Sequence, residues 1–235
     1  MQKGVGRALE KLISRKDIEE REEKRGLSLL MNTQRRRLLE YLCLHPCSSL
    51  SGISSSLEIS PNTAKWHLDK LKEDGIISKK VSGRKTLYYP TGLISTDDLE
   101  IFEILGERRV RALYIHLVDK PGSTQSSLAN SLKMSSQTIS RATHRLESLG
   151  LVNKIQDGVY TRYFPSDLIL ARKEENFPRE KAFQENVLRR LRSEGLKPKI
   201  VRRSSSSLLA EISMGRKRGI LNISTDPFTT VLAED

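Results

Sequence analysis

The chain has 235 residues, enough for two or three small domains, and carries 41 Lys+Arg against 29 Asp+Glu, a formal charge of +12. A sequence pI near 9.8 points to a polyanionic partner, nucleic acid or an anionic membrane face, with a protein whose charges are merely solvated as the alternative. No apolar run approaches bilayer length and the N-terminus lacks an apolar segment of signal-peptide type, so a cytoplasmic protein with no membrane partner is expected.

Residues 1–26 are dense in charge, with Leu9, Leu12 and Ile13 forming a small apolar patch. They read as an N-terminal charged helix, marginal alone and therefore packed on a neighbour or a second subunit, or frayed. A stronger pattern begins at Met31. Asn32 precedes a helix from Thr33 through Leu42 that ends before Pro46. Cys43 and Cys47 flank its end with His45 between them, but a closed zinc site wants four ligands and no second pair exists. Two reduced thiols are expected there, and no metal or cofactor. Residues 48–56 look like a serine-rich linker by composition, yet Leu50, Ile53 and Leu57 keep helical spacing and predict a short second helix.

A third helix follows. Ser60 is a good N-cap, Pro61 suits the first helical position, and Ala64, Leu68 and Leu71 make a narrow apolar stripe that ends at Gly75. Asn62, Lys65, Trp66 and Asp69 point away from that stripe. Residues 78–90 predict a strand–turn–strand with its turn at Ser82-Gly83.

The same pattern recurs 75 residues later without a gap. Ser60 answers to Ser135, Thr63 to Thr138, Leu71 to Leu146 and Gly75 to Gly150. Gly83, Thr86, Tyr88 and Pro90 answer to Gly158, Thr161, Tyr163 and Pro165. One unit of helix, helix, turn, helix and hairpin therefore appears twice. Each unit resembles a winged helix-turn-helix domain, and the pair resembles the tandem winged-helix transcription regulators common in archaea. The likeness is closest in residues 60–71 with 74–77, is broader in residues 135–152, and covers about residues 27–168. Within that group it extends to euryarchaeal regulators of archaellum gene expression, which implies promoter-side activation with general transcription factors as partners.

The expected fold class is mainly α with small β-hairpins. Two tandem winged helix-turn-helix domains, 27–95 and 96–170, are flanked by the N-terminal helix and by a linker and small C-terminal α+β module, 171–235. Residues 96–105, with four acids and no base, read as a connecting helix, or as a docking site for a basic partner. Residues 171–176 read as a charged linker. Beyond it a helix runs to about Glu194, followed by three strand-like runs, in a module too small for a large ligand pocket.

In the winged-helix resemblance the third helix enters the major groove while the hairpin reaches backbone or minor groove. This implies Asn62, Thr63, Lys65, Trp66 and Lys70 as DNA-binding residues of the first unit, with Lys79, Lys80, Arg84 and Lys85 on its wing. In the second unit it implies Gln137, Thr138, Ser140, Arg141, His144 and Arg145, with Lys154 and Arg162 on the wing. Either amide can pair bidentately with adenine and an arginine with guanine, while the threonines suit phosphate contacts that position without specifying. For Trp66, packing over the hairpin is an equal alternative, and His67 reads as a packing residue. No phosphate-binding loop, Gly-x-Ser-x-Gly or His-Glu-x-x-His occurs, so no enzyme is expected. The expected function is sequence-specific binding of double-stranded DNA by a homodimer or higher homo-oligomer, since single small modules bury little DNA surface. The alternative is a protein-interaction scaffold in a transcription or chromosome-organising complex.

Overall fold

The computed structural model describes residues 29–232, so the helix expected at 1–26 lies outside the described residues. Helix α1 (Thr33–Leu44) starts where the Asn32 side chain accepts from the amides of Gln34 and Arg35, and buries Leu38, Leu39 and Leu42. The two-residue strand β1 (Ser48–Ser49) leads into α2 (Leu50–Leu57), which stops at Glu58 in the left-handed conformation, φ 54°. Helix α3 (Pro61–Glu73) is capped by Ser60 and buries Ala64, His67, Leu68 and Leu71, one face at helical spacing. Gly75, φ 75°, then turns the chain into β2 (Ile77–Ser82) and β3 (Lys85–Pro90), which pair in one antiparallel hairpin. β1 adds to its far edge through Ser48↔Tyr88, giving the order β1-β3-β2.

The second unit repeats this element by element: α5 (Arg108–Asp119), β4 (Ser123–Thr124), α6 (Gln125–Leu132), α7 (Ser136–Ser148), β5 (Val152–Asp157) and β6 (Tyr160–Pro165). Lys133, φ 51°, takes the left-handed position of Glu58, and the sheet order β4-β6-β5 is the same. Between the units a 3₁₀ turn (Thr96–Asp98) runs into α4 (Leu99–Leu105), whose Leu99, Ile101, Phe102 and Leu105 are buried. The expected connecting helix is present and ends at Gly106. The expectation of two helix–helix–helix–hairpin units in a mainly α chain holds.

The expected linker at 171–176 is corrected. Those residues lie inside α8 (Leu168–Ser193), one continuous helix with Pro178 in its interior. Its charges are anchored rather than loose: Arg172 pairs with buried Asp98, and Lys173 pairs with Asp226 at 3.0 Å. Asn176, Glu180, Phe183, Gln184, Val187, Leu188 and Leu191 fill one buried face, which outweighs the single backbone bond that proline removes. Strands β7 (Lys199–Arg203), β8 (Ser207–Met214) and β9 (Lys217–Ser224) form an antiparallel sheet in chain order. Leu208, Ala210, Ile212, Leu221 and Ile223 bury its inner face. A short helix α9 (Pro227–Leu232), absent from the sequence reading, seats Phe228 on Phe102 of α4 with ring centroids 4.8 Å apart.

This C-terminal part is docked on the first unit. β9 runs along α1, where the Asn222 amide donates to Glu40 Oε1 at 2.9 Å. Arg190 pairs with Asp74 at the end of α3, and Arg111 of α5 donates to the Thr230 carbonyl at 3.1 Å. One apolar core joins all three parts. Among the described residues no helix is long and apolar enough to cross a membrane.

Candidate nucleic-acid interface

Both third helices open on the same local geometry. Ser60 Oγ accepts from the Thr63 amide at 3.1 Å and shares a hydrogen bond with Thr63 Oγ1 at 2.8 Å. Ser135 and Thr138 repeat this at 3.2 and 2.9 Å. Each cap fixes the direction of the helix start, and the side chain two residues on, Asn62 or Gln137, is exposed. Lys65 is exposed on α3, and Ser140, Arg141 and His144 are exposed on α7. The spacing explains this division: one face of each helix is packed, at residues 64, 67, 68 and 71 and their counterparts 139, 142, 143 and 146, and the side chains opposite reach solvent.

Trp66 is half-buried. The Arg35 guanidinium of α1 lies 5.2 Å from its ring centroid, and the His67 ring meets it edge-on at 4.8 Å. Arg35 of α1 thus packs on the ring, which serves as a platform beneath a cation. His67 itself is fully buried. Burial, and then the charge of Arg35, brings its pKa down to about 4, so the ring is neutral at pH 7.

The basic candidates divide sharply by partner. On the first wing Lys79, Arg84 and Lys85 are exposed, Arg84 in the hairpin tip that Gly83 turns at φ 55° and Lys85 directly after it. Lys80 instead pairs with Glu103 of α4 at 3.2 Å, and Ser82 Oγ donates to the same carboxylate. Lys70 is half-buried and pairs with Glu73. In the second unit Arg145 makes a bidentate pair with Glu107, at 2.7 and 2.8 Å. Donation from Arg145, with Lys85 adding its charge, holds the Glu107 carboxyl below the usual range, and the same pair raises Arg145. Lys154 pairs with Glu147 at 3.2 Å, while Arg162 pairs with Asp157 and donates to the Gly122 carbonyl. The second wing presents apolar side chains instead: Ile155 is 54%, Val159 87% and Tyr160 58% exposed.

The structure thus brings Asn62, Thr63 and Lys65 together on one helix, with Lys79, Arg84 and Lys85 on the hairpin beside it. Gln137, Thr138, Ser140, Arg141 and His144 share the other helix. Lys70, Lys80, Arg145, Lys154 and Arg162 are held by carboxylates. Those pairings are not visible in the sequence; within the acid-rich stretch at 96–105, Glu103 meets Lys80 and Asp98 meets Arg172. Cys43 and Cys47 are both buried, with burial pushing Cys43 far above the usual thiol range and Cys47 up to about 12. Cys47 Sγ donates to the Leu99 carbonyl at 3.4 Å. Among the described residues no group of His, Cys, Asp and Glu is placed to hold a metal ion.

A family model described as winged helix-turn-helix DNA-binding matches residues 31–78 and, a second time, residues 107–153. An uncharacterised HTH-type transcriptional regulator of Methanocaldococcus jannaschii is 26% identical over 142 residues, which is 60% of this chain and 36% of the relative. The chain therefore spans about a third of that relative's length. Among solved structures, an ArsR-like transcriptional regulator from Rhodococcus sp. RHA1 has 23% identity and a TM-score of 0.35, covering 41% of this chain and 88% of its own. Streptococcus pneumoniae FabT, solved in complex with DNA, has 16% identity and a TM-score of 0.26, covering 63% and 99%.

Proposed function

We infer that this tandem winged helix-turn-helix protein binds double-stranded DNA in a sequence-specific manner and regulates transcription. The observation that carries the reading is the pair of third helices. Their caps and buried faces are equivalent, and their exposed letters differ, Asn62 and Lys65 on one against Gln137, Ser140 and Arg141 on the other. A fold held constant beneath a changing exposed face is what two readers of different sequence require. The two matches of the DNA-binding family model and the archaeal relative support the same reading.

In the major groove Asn62 and Gln137 are suited to adenine and Arg141 to guanine, and Thr63 and Thr138 sit where helix-start amides meet phosphate. The first wing, with Lys79, Arg84 and Lys85 open to solvent, supplies backbone contacts. Two unlike readers on one chain fit an asymmetric site, which a homodimer would double. The protein acts in the cytoplasm, and promoters are its expected targets. Promoters of archaellum genes, with general transcription factors as partners, are the first to test.

Selection of bound fragments from genomic DNA, followed by anisotropy titrations on the selected duplex, tests the reading. Affinity should fall by about 10³–10⁵ between roughly 50 and 200 mM salt for ~6–10 phosphate contacts. Lys65→Gln/Arg84→Gln should lower both affinity and salt slope, whereas Arg141→Gln should relax sequence preference. Affinity that persists across that salt range would sink the reading. A second reading rests on the apolar tip of the second wing, Ile155, Val159 and Tyr160, which suits a protein contact. Purified protein free of nucleic acid, with no raised absorbance at 260 nm, would favour it.

A further inference from the structure

The C-terminal part is the most basic region of the described chain. Residues 168–232 hold fourteen Lys and Arg against seven Asp and Glu, whereas residues 31–95 hold ten against five and residues 96–170 nine of each. Seven of the fourteen lie on α8; residues 199–224, the sheet itself, hold six against one acid, and register turns several of the six to one face. Register places Arg202 beside Leu209, Lys199 beside Glu211, and Arg218 beside Ser213, and paired residues of an antiparallel sheet point to the same side. Leu208, Ala210 and Ile212, the alternating set on β8, are buried, so the cationic set faces outward. Arg202, Arg216 and Arg218 are exposed and make no ion pair among the described residues. Gly215, φ 59°, turns the β8–β9 hairpin and sets Arg216, Lys217 and Arg218 at its tip.

This face adjoins α1 of the first unit. Between it and α1 lies a cleft of about 850 Å³ lined by Arg36, Arg37, Lys197, Lys199 and Arg218 and by two acids, Glu40 of α1 and Glu211 of the sheet, the latter 3.8 Å from Lys199. Arg37 also donates to the carbonyl of Leu57 at 3.2 Å, the last residue of α2 before the turn into α3. One guanidinium therefore belongs both to the cleft and to the helix-turn-helix. The module, expected to be too small for a large ligand pocket, borders this cleft only because α1 supplies the second wall.

We propose that the outer face of β7–β9 is a third DNA-contacting surface. It takes the phosphodiester backbone that flanks the site read by α3, so that β8–β9 acts as an additional wing built outside both repeated units. This rests on the DNA-binding reading above. Occupation by duplex backbone rather than a small ligand follows from the layout. The cations run from the cleft along an open strand face to a hairpin tip, with Ile220 (61% exposed) and Leu209 between them to cover sugar surface. A line of separated cations suits a polymer of phosphates.

The test uses the full chain. Arg202→Gln/Arg216→Gln/Arg218→Gln is compared with wild type on a long random-sequence duplex and on one trimmed to the span of the two repeated units. On the long duplex the salt slope should fall by about 0.9 for each phosphate contact removed, roughly 2–3 in all. On the trimmed duplex the two proteins should agree, and the corresponding triple Arg→Lys variant should restore the slope. An unchanged slope for the Gln variant, in a protein that still depends on Lys65 and Arg84, overturns the third surface and leaves the DNA-binding reading standing. Wild type that binds no duplex at low salt removes both. Inorganic pyrophosphate that raises the melting temperature of wild type but not of the Gln variant, with duplex slopes equal, makes the cleft a small-anion site and likewise overturns the proposal.

Discussion

His67 and Ala142 occupy the same buried position on α3 and α7, and His67 brings a titratable ring into the core. Its folded-state pKa of about 4 lies below the ordinary 6.5, so between those values the unfolded chain binds a proton that the folded chain does not. Stability therefore falls as pH drops through that window and levels off below it, by roughly 1–3 kcal/mol. Urea titrations of His67→Ala across the window should show a flatter pH dependence than wild type, whatever constant offset the smaller side chain introduces. An equal slope in both proteins would refute the assignment. Glu180 works with the opposite sign. Burial and the nearby Asp226 raise its carboxyl to about 7 from the ordinary 4.5, so the folded chain binds the extra proton and stability falls as pH rises through that interval. Glu180→Gln should gain about 1–3 kcal/mol above pH 7 and little below pH 4.5. A gain of the same size at both ends of the range would mean packing, not charge.

At the level of elements, α4 and the start of α5 do more than connect. Glu103 holds the first wing through Lys80 and Ser82, while Glu107 holds α7 through Arg145 and lies within reach of the Lys85 charge. Two adjacent carboxylates thus tie the wing of one unit to the third helix of the other and withhold two cations from phosphate. Glu103→Gln/Glu107→Gln should raise affinity for duplex DNA by up to about fivefold, on the scale of ~1 kcal/mol for ion pairs at or near the surface. It should also steepen the salt slope by about 1–2. Anisotropy at several salt concentrations checks both, and weaker binding would show that the carboxylates instead hold the two units at a productive angle. These pairs also mark the limit of what residues disclose by themselves. Ser60, Pro61 and Gly75 announce α3 because caps and glycine stops act within one turn of chain, and the repeat doubled that evidence. Strands β1 and β4 were not legible, because Ser48 and Ser123 become strand only by pairing with Tyr88 and Tyr163. The residues at 171–176 looked like a linker because Asp98 and Asp226, which steady Arg172 and Lys173, lie far away in the chain. Arg145 looked available for DNA for the same reason: its partner is 38 residues distant.

Across the whole molecule, the C-terminal part closes over the first unit instead of trailing from the second. Phe228 rests on Phe102, Asn222 donates to Glu40, and Arg190 reaches Asp74 at the end of α3. If these contacts join one core, loss of the Phe228 ring must be felt at α3 of the first unit. Phe228→Ala should cost about 3–5 kcal/mol, the range for an aromatic removed from a packed interior. The chain offers an internal reporter, because Trp66 is its one tryptophan and sits on α3. Denaturation followed by Trp66 fluorescence and by far-ultraviolet circular dichroism should give coincident transitions in wild type, and in Phe228→Ala both should move together to lower denaturant. A Trp66 transition that keeps its wild-type midpoint, while circular dichroism gains an earlier step, would mean that the C-terminal part unfolds on its own. Coincident movement would mean that the sheet carrying Arg202, Arg216 and Arg218 unfolds as one cooperative unit with the part that carries α3, as the proposed third surface requires.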